Sequence, residues 1–352
     1  MGEDVERRFM QRCLELAVKA EGLTYPNPLV GSVIVHNGTI IGEGYHLRAG
    51  QPHAEVNAIN SVSNKELLRE SELYVNLEPC SHIGRTPPCA DLIISHKIPR
   101  IIIGSPDTSD KVSGKGIARL KDAGCQVKQG VLEEECRYLN RRFFTYHEKK
   151  RPYITLKWAQ SEDGYIDVSR EEDQPIGPTW ISGKPERVLV HRWRASEETI
   201  LVGAETIRKD DPALNVREWM GPDPVRLVLS NSGDLPDTAV VFNIPGKTVV
   251  FTGRSDAAFP NAETVILDGA ETSARQIADY LFKTGIQSII IEGGARVFDH
   301  FISAGLWDEA RIFHGKACFG NGIKAPVADG GCVISKKRFS CSVLEIISRE
   351  TR

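Results

Sequence analysis

Residues 71–105 read SELYVNLEPCSHIGRTPPCADLIISHKIPRIIIGS, and this stretch decides the fold of the first half. SELYVNLEP is apolar and β-prone, so it reads as a strand ending at Pro79. Pro87-Pro88 is suited to open a helix, which CADLIISHKI continues. PRIIIGS is a second strand. Strand, helix and strand in succession imply parallel pairing through a crossover, hence a layered α/β domain. Upstream, LVGSVIVHNGTIIGEGYH flanks Asn37-Gly38 with apolar runs, a two-residue hairpin signal. VERRFMQRCLELAVKAEG places Phe9, Met10, Cys13, Leu14 and Ala17 at helical spacing. Helix-like sequence follows His53. Downstream, GKGIARLKDAGC reads as a helix, CQVKQG as a short strand and LEEECRYLNRRFFTYHEKK as one closing helix. Arg151-Pro152 breaks it, which sets the boundary near Lys149. The expected domains are 1–149 and 150–352.

A second alternating series follows. Its strands are PYITLKWAQ, TILVG, VRLVLS, KTVVFTG, ETVILDG and QSIIIEGG. KPERVLVHRWRAS, SARQIADYLFKTG and ARVFDHFISAGLWDE read as helices, FSCSVLEIISRE as a last strand, and VSREEDQPIGPTW as a loop over a site. The second half is therefore α/β as well. With 352 residues, 41% hydrophobic and 26% charged, the composition is that of a globular protein. A net charge of −3 gives no basic face for duplex nucleic acid. No run is apolar enough to span a bilayer. Eight cysteines without a secretory signal point to a reducing cytosol. Cys13, Cys125, Cys136, Cys318, Cys332 and Cys341 read mostly as buried small hydrophobes.

His53, Cys80 and Cys89 supply an imidazole and two thiols, the donors that zinc prefers in tetrahedral sites. A catalytic zinc takes three protein ligands and leaves the fourth position to water, whose pKa falls to ~7. Glu55 lies two residues beyond a ligand, placed to take the water's proton and return it to a leaving amine. His-x-Glu followed by Pro-Cys and a second cysteine is the pattern of zinc nucleobase deaminases, which separate the cysteines by two residues. Here eight intervene. A closed structural zinc site, with His82 or Cys125 as fourth ligand, is the rival reading, although such a site has no use for Glu55. The turn SIIIEGGARVF joins a strand to a helix start. It reads equally as a phosphate cradle or as a tight turn.

PNPLVGSVIV, GEGYH, PHAEV and LEPCSHIGRTPPC together resemble the bifunctional deaminase/reductase family of riboflavin biosynthesis, in which the long cysteine loop is normal. The resemblance covers nearly the whole chain. It implies a cytidine-deaminase-like α/β/α domain followed by a dihydrofolate-reductase-like α/β domain. It further implies zinc on His53, Cys80 and Cys89, proton transfer by Glu55, and substrate contacts from Asn27, His82 and Arg85, with Gly84 in the same loop. PDTSDKVSGKG departs from the family's Asp-Pro-Asn-Pro stretch: Asp107 is kept and both prolines are gone.

In the second half LKWAQSEDG, Trp180-Ile181-Ser182, TIRKDDPALNVR and Glu292-Gly293-Gly294 carry the likeness. By it Gln160, Trp180, Thr206, Asp210, Asn231, Gly294, Ala295, Arg296, Val297 and Phe298 border NADPH. Arg194, Leu214, Arg217 and Glu292 border the substrate, a pyrimidine ribosyl phosphate; Lys157, by its residue type and its expected place at the end of the first reductase strand, is a candidate for stabilising charge during hydride transfer. Guanidinium groups suit the phosphate because they bond it in pairs. A hydroxyl the family often carries two residues before the tryptophan is displaced here to Thr179. The resemblance implies deamination of a 2,5-diaminopyrimidinone, then reduction of its ribosyl group to ribityl. It also implies a cytoplasmic dimer or tetramer. The alternative is a deaminase whose second half only binds ligand.

Overall fold

Continuous apolar runs build the first sheet. The computed structural model describes residues 2–81, 87–109, 112–169, 177 and 179–350, and divides into two units after Lys150. In the first unit, α1 (Glu3–Ala17), β1 (Gly31–His36), β2 (Thr39–Tyr45), α2 (Ala54–Ser61) and β3 (Glu72–Leu77) come first. They are followed by α3 (Cys89–Ser95), β4 (Arg100–Ser105), α4 (Lys115–Asp122), β5 (Gln126–Gln129), α5 (Glu133–Leu139) and α6 (Arg141–Lys149). The sheet order is β2-β1-β3-β4-β5. β1 pairs antiparallel with both neighbours, whereas β3, β4 and β5 are parallel. Val33, Val35 and Ile102 meet Met10, Cys13 and Leu14 of α1 on one face. Ile34, Ile101 and Ile103 meet Ala58, Ile59, Ala90, Ile93 and Leu120 of α2 to α4 on the other. The result is three layers with a sheet buried on both sides.

Residues 132–150 form two helices, where the sequence suggested one. The break is at Asn140, which is 3% exposed with φ −97° and ψ 22°; its backbone still bonds Cys136 O and Phe144 N–H, while its side chain holds Leu29. Leu29 N–H donates to Asn140 Oδ1 at 2.7 Å, and Asn140 Nδ2 donates to Leu29 O at 2.9 Å.

The second unit contains β6 (Tyr153–Gln160), β7 (Tyr165–Asp167), α7 (Lys184–Ser196), β8 (Thr199–Gly203), α8 (Ala204–Asp210), β9 (Val225–Leu229) and α9 (Val240–Asn243). β10 (Thr248–Thr252), β11 (Glu263–Ile266), α10 (Ser273–Lys283), β12 (Ser288–Gly293) and α11 (Ala295–Ser303) follow. The chain ends with β13 (Glu309–Gly315), β14 (Ile323–Lys324), β15 (Cys332–Arg338) and β16 (Ser342–Ser348). Nine strands run in the order β11-β10-β9-β8-β12-β6-β13-β16-β15. They are parallel from β11 to β13 and antiparallel beyond. Leu156, Leu201, Phe251 and Ile291 pack with α10 and α11 on one face. Ile200, Val202, Val228 and Ile290 pack with Ile207, Leu214 and Phe242 on the other.

Here too the sequence reading is corrected. The helix expected to run to Glu309 stops at Ser303, because Gly305 turns into the left-handed region at φ +64°. β13 then enters the parallel sheet. Lys157 lies within β6, three residues short of its end. Of the six cysteines read mostly as buried, only Cys13 and Cys136 are; Cys125 and Cys341 are half-buried, and Cys318 and Cys332 are exposed.

Candidate functional site

His53 stands just before α2 with an extended backbone, φ −71° and ψ 166°, so its ring leaves the helix axis. Glu55 occupies the first turn of that helix. Cys80 lies three residues past β3, and Cys89 is the first residue of α3, after Pro88. The three converge. His53 Nδ1 is 3.6 Å from Cys80 Sγ and 3.3 Å from Cys89 Sγ, and Cys89 N–H donates to Cys80 Sγ at 3.4 Å. A tetrahedral zinc with standard bond lengths separates nitrogen and sulfur by about 3.6 Å. Among the described residues this is the one group of metal-ligating side chains that meets. Cys125 is elsewhere, directed at Ile98 O at 3.6 Å. His82, Gly84 and Arg85 lie outside the described residues.

The electrostatics fit the same group. Hydrogen bonds from the Cys89 thiol and from His53 outweigh burial and hold Cys80 well below the ordinary thiol range, while Cys89 is pushed up. Burial raises Glu55 to about 7, and its Oε2 is buried without a partner among the described residues. A buried carboxylate oxygen left unbonded costs free energy unless a further group satisfies it. One imidazole, two sulfurs at zinc spacing and an adjacent unsatisfied carboxylate fit a zinc ion with a water beside it.

Sequence reasoning missed His46, the last residue of GEGYH. His46 is 2% exposed and its ring meets that of His53 edge-on, with centroids 5.4 Å apart. Its Nδ1 lies 3.1 Å from Pro52 O, which can only accept, so Nδ1 carries the proton. Nε2 then accepts from Asn27 Nδ2 at 3.0 Å, which fixes the Asn27 amide. Burial lowers the His46 pKa and keeps the ring neutral. Glu78 was missed also. Its carboxylate accepts N–H groups of Asp107, Gly114, Gly116 and Ile117 at 2.9–3.1 Å, capping α4 and closing the loop after β4. A Cβ at Gly116 would sit 2.0 Å from Pro79 O, so only glycine fits there. Asp107 is buried and accepts from Ser109 N–H, and Asp110 lies outside the described residues.

In the second unit the expected residues gather at the carboxyl edge of the sheet. Gln160 ends β6, Glu292 and Gly293 end β12 with Gly294 just past it, Thr206 lies in α8 just past β8, and Asn231 follows β9. These four strands are neighbours, and ligands of such sheets bind outside their carboxyl ends. Gly293 is pressed against Thr206, with room for no Cβ. Trp180 is 60% exposed, beneath the Arg187 guanidinium at 4.7 Å. Asp210 ends α8. Asn231 borders a cavity of about 700 Å³ with Arg254, Thr272, Ser273 and His300. Gly294 precedes α11 at φ +86°. Val297 and Phe298 are buried in the core, and both their N–H groups bond to Gly294 O. The outward part of that stretch is therefore Gly294, Ala295 and Arg296.

The substrate candidates form a charged group. Arg194 reaches Glu292 with two bonds of 2.8 and 2.9 Å, and Lys157 Nζ is 3.6 Å from Glu292. Burial opposes charge on Glu292, but Arg194 and Lys157 prevail and hold it at about 2. Burial lowers the Lys157 pKa. Arg194 is thus a buried partner of an acid. Arg217 is exposed and bonds Asn215 Oδ1 at 2.6 Å. The Leu214 side chain is in the core, 2% exposed.

Residues 3–105 match the cytidine and deoxycytidylate deaminase zinc-binding region, and residues 152–347 match the RibD C-terminal domain. The chain is 38% identical over 330 residues to the riboflavin biosynthesis protein RibD of Aquifex aeolicus, across 92% of this chain and 90% of that protein. It is 34% identical over 323 residues to RibD of Escherichia coli, across 87% and 86% of the two. Among solved structures, the diaminohydroxyphosphoribosylaminopyrimidine deaminase/5-amino-6-(5-phosphoribosylamino)uracil reductase of Thermotoga maritima superposes with a TM-score of 0.89 at 36% identity, covering 98% of this chain and 99% of that one. RibD of Acinetobacter baumannii gives 0.87 at 31%, covering 99% of each.

Proposed function

The chain belongs to the riboflavin biosynthesis protein RibD family, and from that premise we infer the substrate and the residues that act on it. It is a bifunctional enzyme, a zinc-dependent deaminase joined to an NADPH-dependent reductase, on a cytidine-deaminase-like and a dihydrofolate-reductase-like domain. That reading prevails over a second half that only binds ligand. The substrate is 2,5-diamino-6-ribosylamino-4(3H)-pyrimidinone 5′-phosphate. The deaminase comprises residues 1–149 and the reductase residues 150–352. The enzyme acts in the cytoplasm as a dimer or tetramer. Among the described residues no helix is long and apolar enough to cross a membrane.

His53, Cys80 and Cys89 hold the zinc, and Gln160, Trp180, Thr206, Asp210, Asn231 and the Gly294 turn hold NADPH. Zinc supplies a hydroxide at neutral pH, and NADPH a hydride. Glu55 takes a proton from the attacking water and gives it to the departing amine at C2. Asn27, fixed by His46, orients the pyrimidine, and His82 and Arg85 contact the substrate as well. In the second step Arg217 binds the 5′-phosphate. Lys157, Arg194 and Glu292 orient the sugar, and Lys157 stabilises charge as C1 is reduced and the ring opens. The convergence of His53, Cys80 and Cys89 beside the unsatisfied Glu55 oxygen carries this reading. Its test is to incubate the zinc-loaded chain with the diaminopyrimidinone and NADPH, following ammonia and NADPH absorbance together. Ammonia release followed by NADPH oxidation is expected. Ammonia with no oxidation would refute the reductase assignment, and neither would refute both.

A further inference from the structure

We infer that His191 is a positioning residue for the reduction: its Nδ1 accepts the backbone N–H of Arg217 at 3.1 Å and so sets where that arginine stands. Arg187, His191 and Arg194 are spaced i, i+4 and i+7 on α7, which puts them in one stripe along the helix. Each holds one residue of the segment after Leu214. Arg187 Nε donates to Glu218 Oε1 at 3.4 Å, and Arg194 Nη1 donates to Asn215 O at 3.1 Å. Between them, His191 holds Arg217 itself. The near end of the segment is fixed by Leu214, buried and in the left-handed region at φ +53°. A further bond from Val216 N–H to Asp223 Oδ1 at 2.7 Å ties the segment to itself. The backbone of Arg217 is thus held while its guanidinium remains exposed.

The bond needs an unprotonated Nδ1. His191 is 5% exposed, and burial, then Arg194 and Arg217, lower its pKa, while Glu218 and Glu292 act in the other direction. Arg187 and Arg192 lie on the same helix, and Lys157 stands beside Glu292. At neutral pH the ring accepts. Protonated at lower pH, Nδ1 becomes a donor facing a donor, and the segment is released. The inference rests on the reading that Arg217 receives the substrate phosphate.

The test uses the full-length, zinc-loaded chain and steady-state NADPH oxidation with 5-amino-6-(5-phosphoribosylamino)uracil. An asparagine Oδ1 sits about where histidine Nδ1 does, so His191→Asn keeps the acceptor and removes the titration. His191→Ala should raise KM about tenfold, the factor of one lost hydrogen bond, and change kcat less than about twofold. His191→Asn should keep KM near the parent value. On acidification the parent KM should rise and that of His191→Asn should not. An unchanged KM in His191→Ala, a His191→Asn variant as impaired as the alanine, or the same acid rise in both would overturn the inference. Should the alanine variant not fold, the acid profiles of the parent and His191→Asn decide. Arg217→Ala separates the premise: if it leaves KM unmoved, the phosphate reading fails and this inference with it. If it raises KM and His191→Ala does not, only this inference fails.

Discussion

Glu55 and Glu292 are buried acids driven in opposite directions. At Glu55 burial outweighs the lowering effect of the His53 ring and raises the carboxyl to about 7, where a proton is exchanged readily near neutral pH. Glu55→Gln should keep zinc and lose deamination by a factor of ~10²–10⁴, with NADPH oxidation of the uracil-type substrate unchanged. Deamination within a few-fold of the parent, at equal zinc content, would remove the proton-shuttle role. Glu292 lies between Arg194 and Lys157 and falls from the ordinary 4.5 to about 2. A carboxylate lowered on folding stabilises the protein above its unfolded pKa, and that stabilisation is lost as pH falls through the folded value. The reductase unit should therefore lose on the order of 3 kcal/mol between pH 4.5 and 2 through this group alone. In Glu292→Gln that component of the acid loss should vanish, although the variant starts weaker because Arg194 is left buried and uncompensated. Urea unfolding across this range checks both, and equal acid losses in parent and variant would contradict it. The zinc donors were legible because their chemistry is in the side chains. His46 and Glu78 were not, because each acts through a backbone atom that only folding brings near.

At the scale of elements, strands with continuous apolar runs were legible, and β13 was not. Its sequence EARIFHG contains Glu309 and Arg311, 1% and 4% exposed, which argue against a central strand. The two pair with each other at 2.6 Å, and Arg311 covers the Trp193 ring at 4.6 Å. That pairing permits burial and hides the strand from a pattern search. Likewise α5 and α6 read as one helix because the apolar spacing continues through Asn140. The turn between them falls where the Asn140 side chain is engaged by the backbone of Leu29, 111 residues away in sequence. Asn76 bonds the same segment, giving 3.0 Å to Leu29 O and accepting from Gly31 N–H at 2.8 Å. Together they fix the turn that presents Asn27. Asn140→Leu should leave the Leu29 N–H unpaired, while Leu29 O keeps its bond from Asn76, and cost about 1–3 kcal/mol. Thermal unfolding of the deaminase unit should shift down and deamination should weaken, with NADPH oxidation as the internal control. A midpoint equal to the parent's would show that the bond is dispensable.

For the whole molecule, the two halves divide after Lys150, and each has its own core. A chain truncated after Lys150 should fold, bind one zinc and deaminate; insoluble or zinc-free protein would argue against independent domains. The chemistry assigned to the first half depends on three protein ligands around its metal, since a fourth would leave no place for water. X-ray absorption at the zinc edge of the full-length chain tests this most directly. Two sulfur neighbours at about 2.3 Å and two lighter ones, of which a single one is imidazole, are the expected shell. A third sulfur, a second imidazole or no bound zinc would contradict the account.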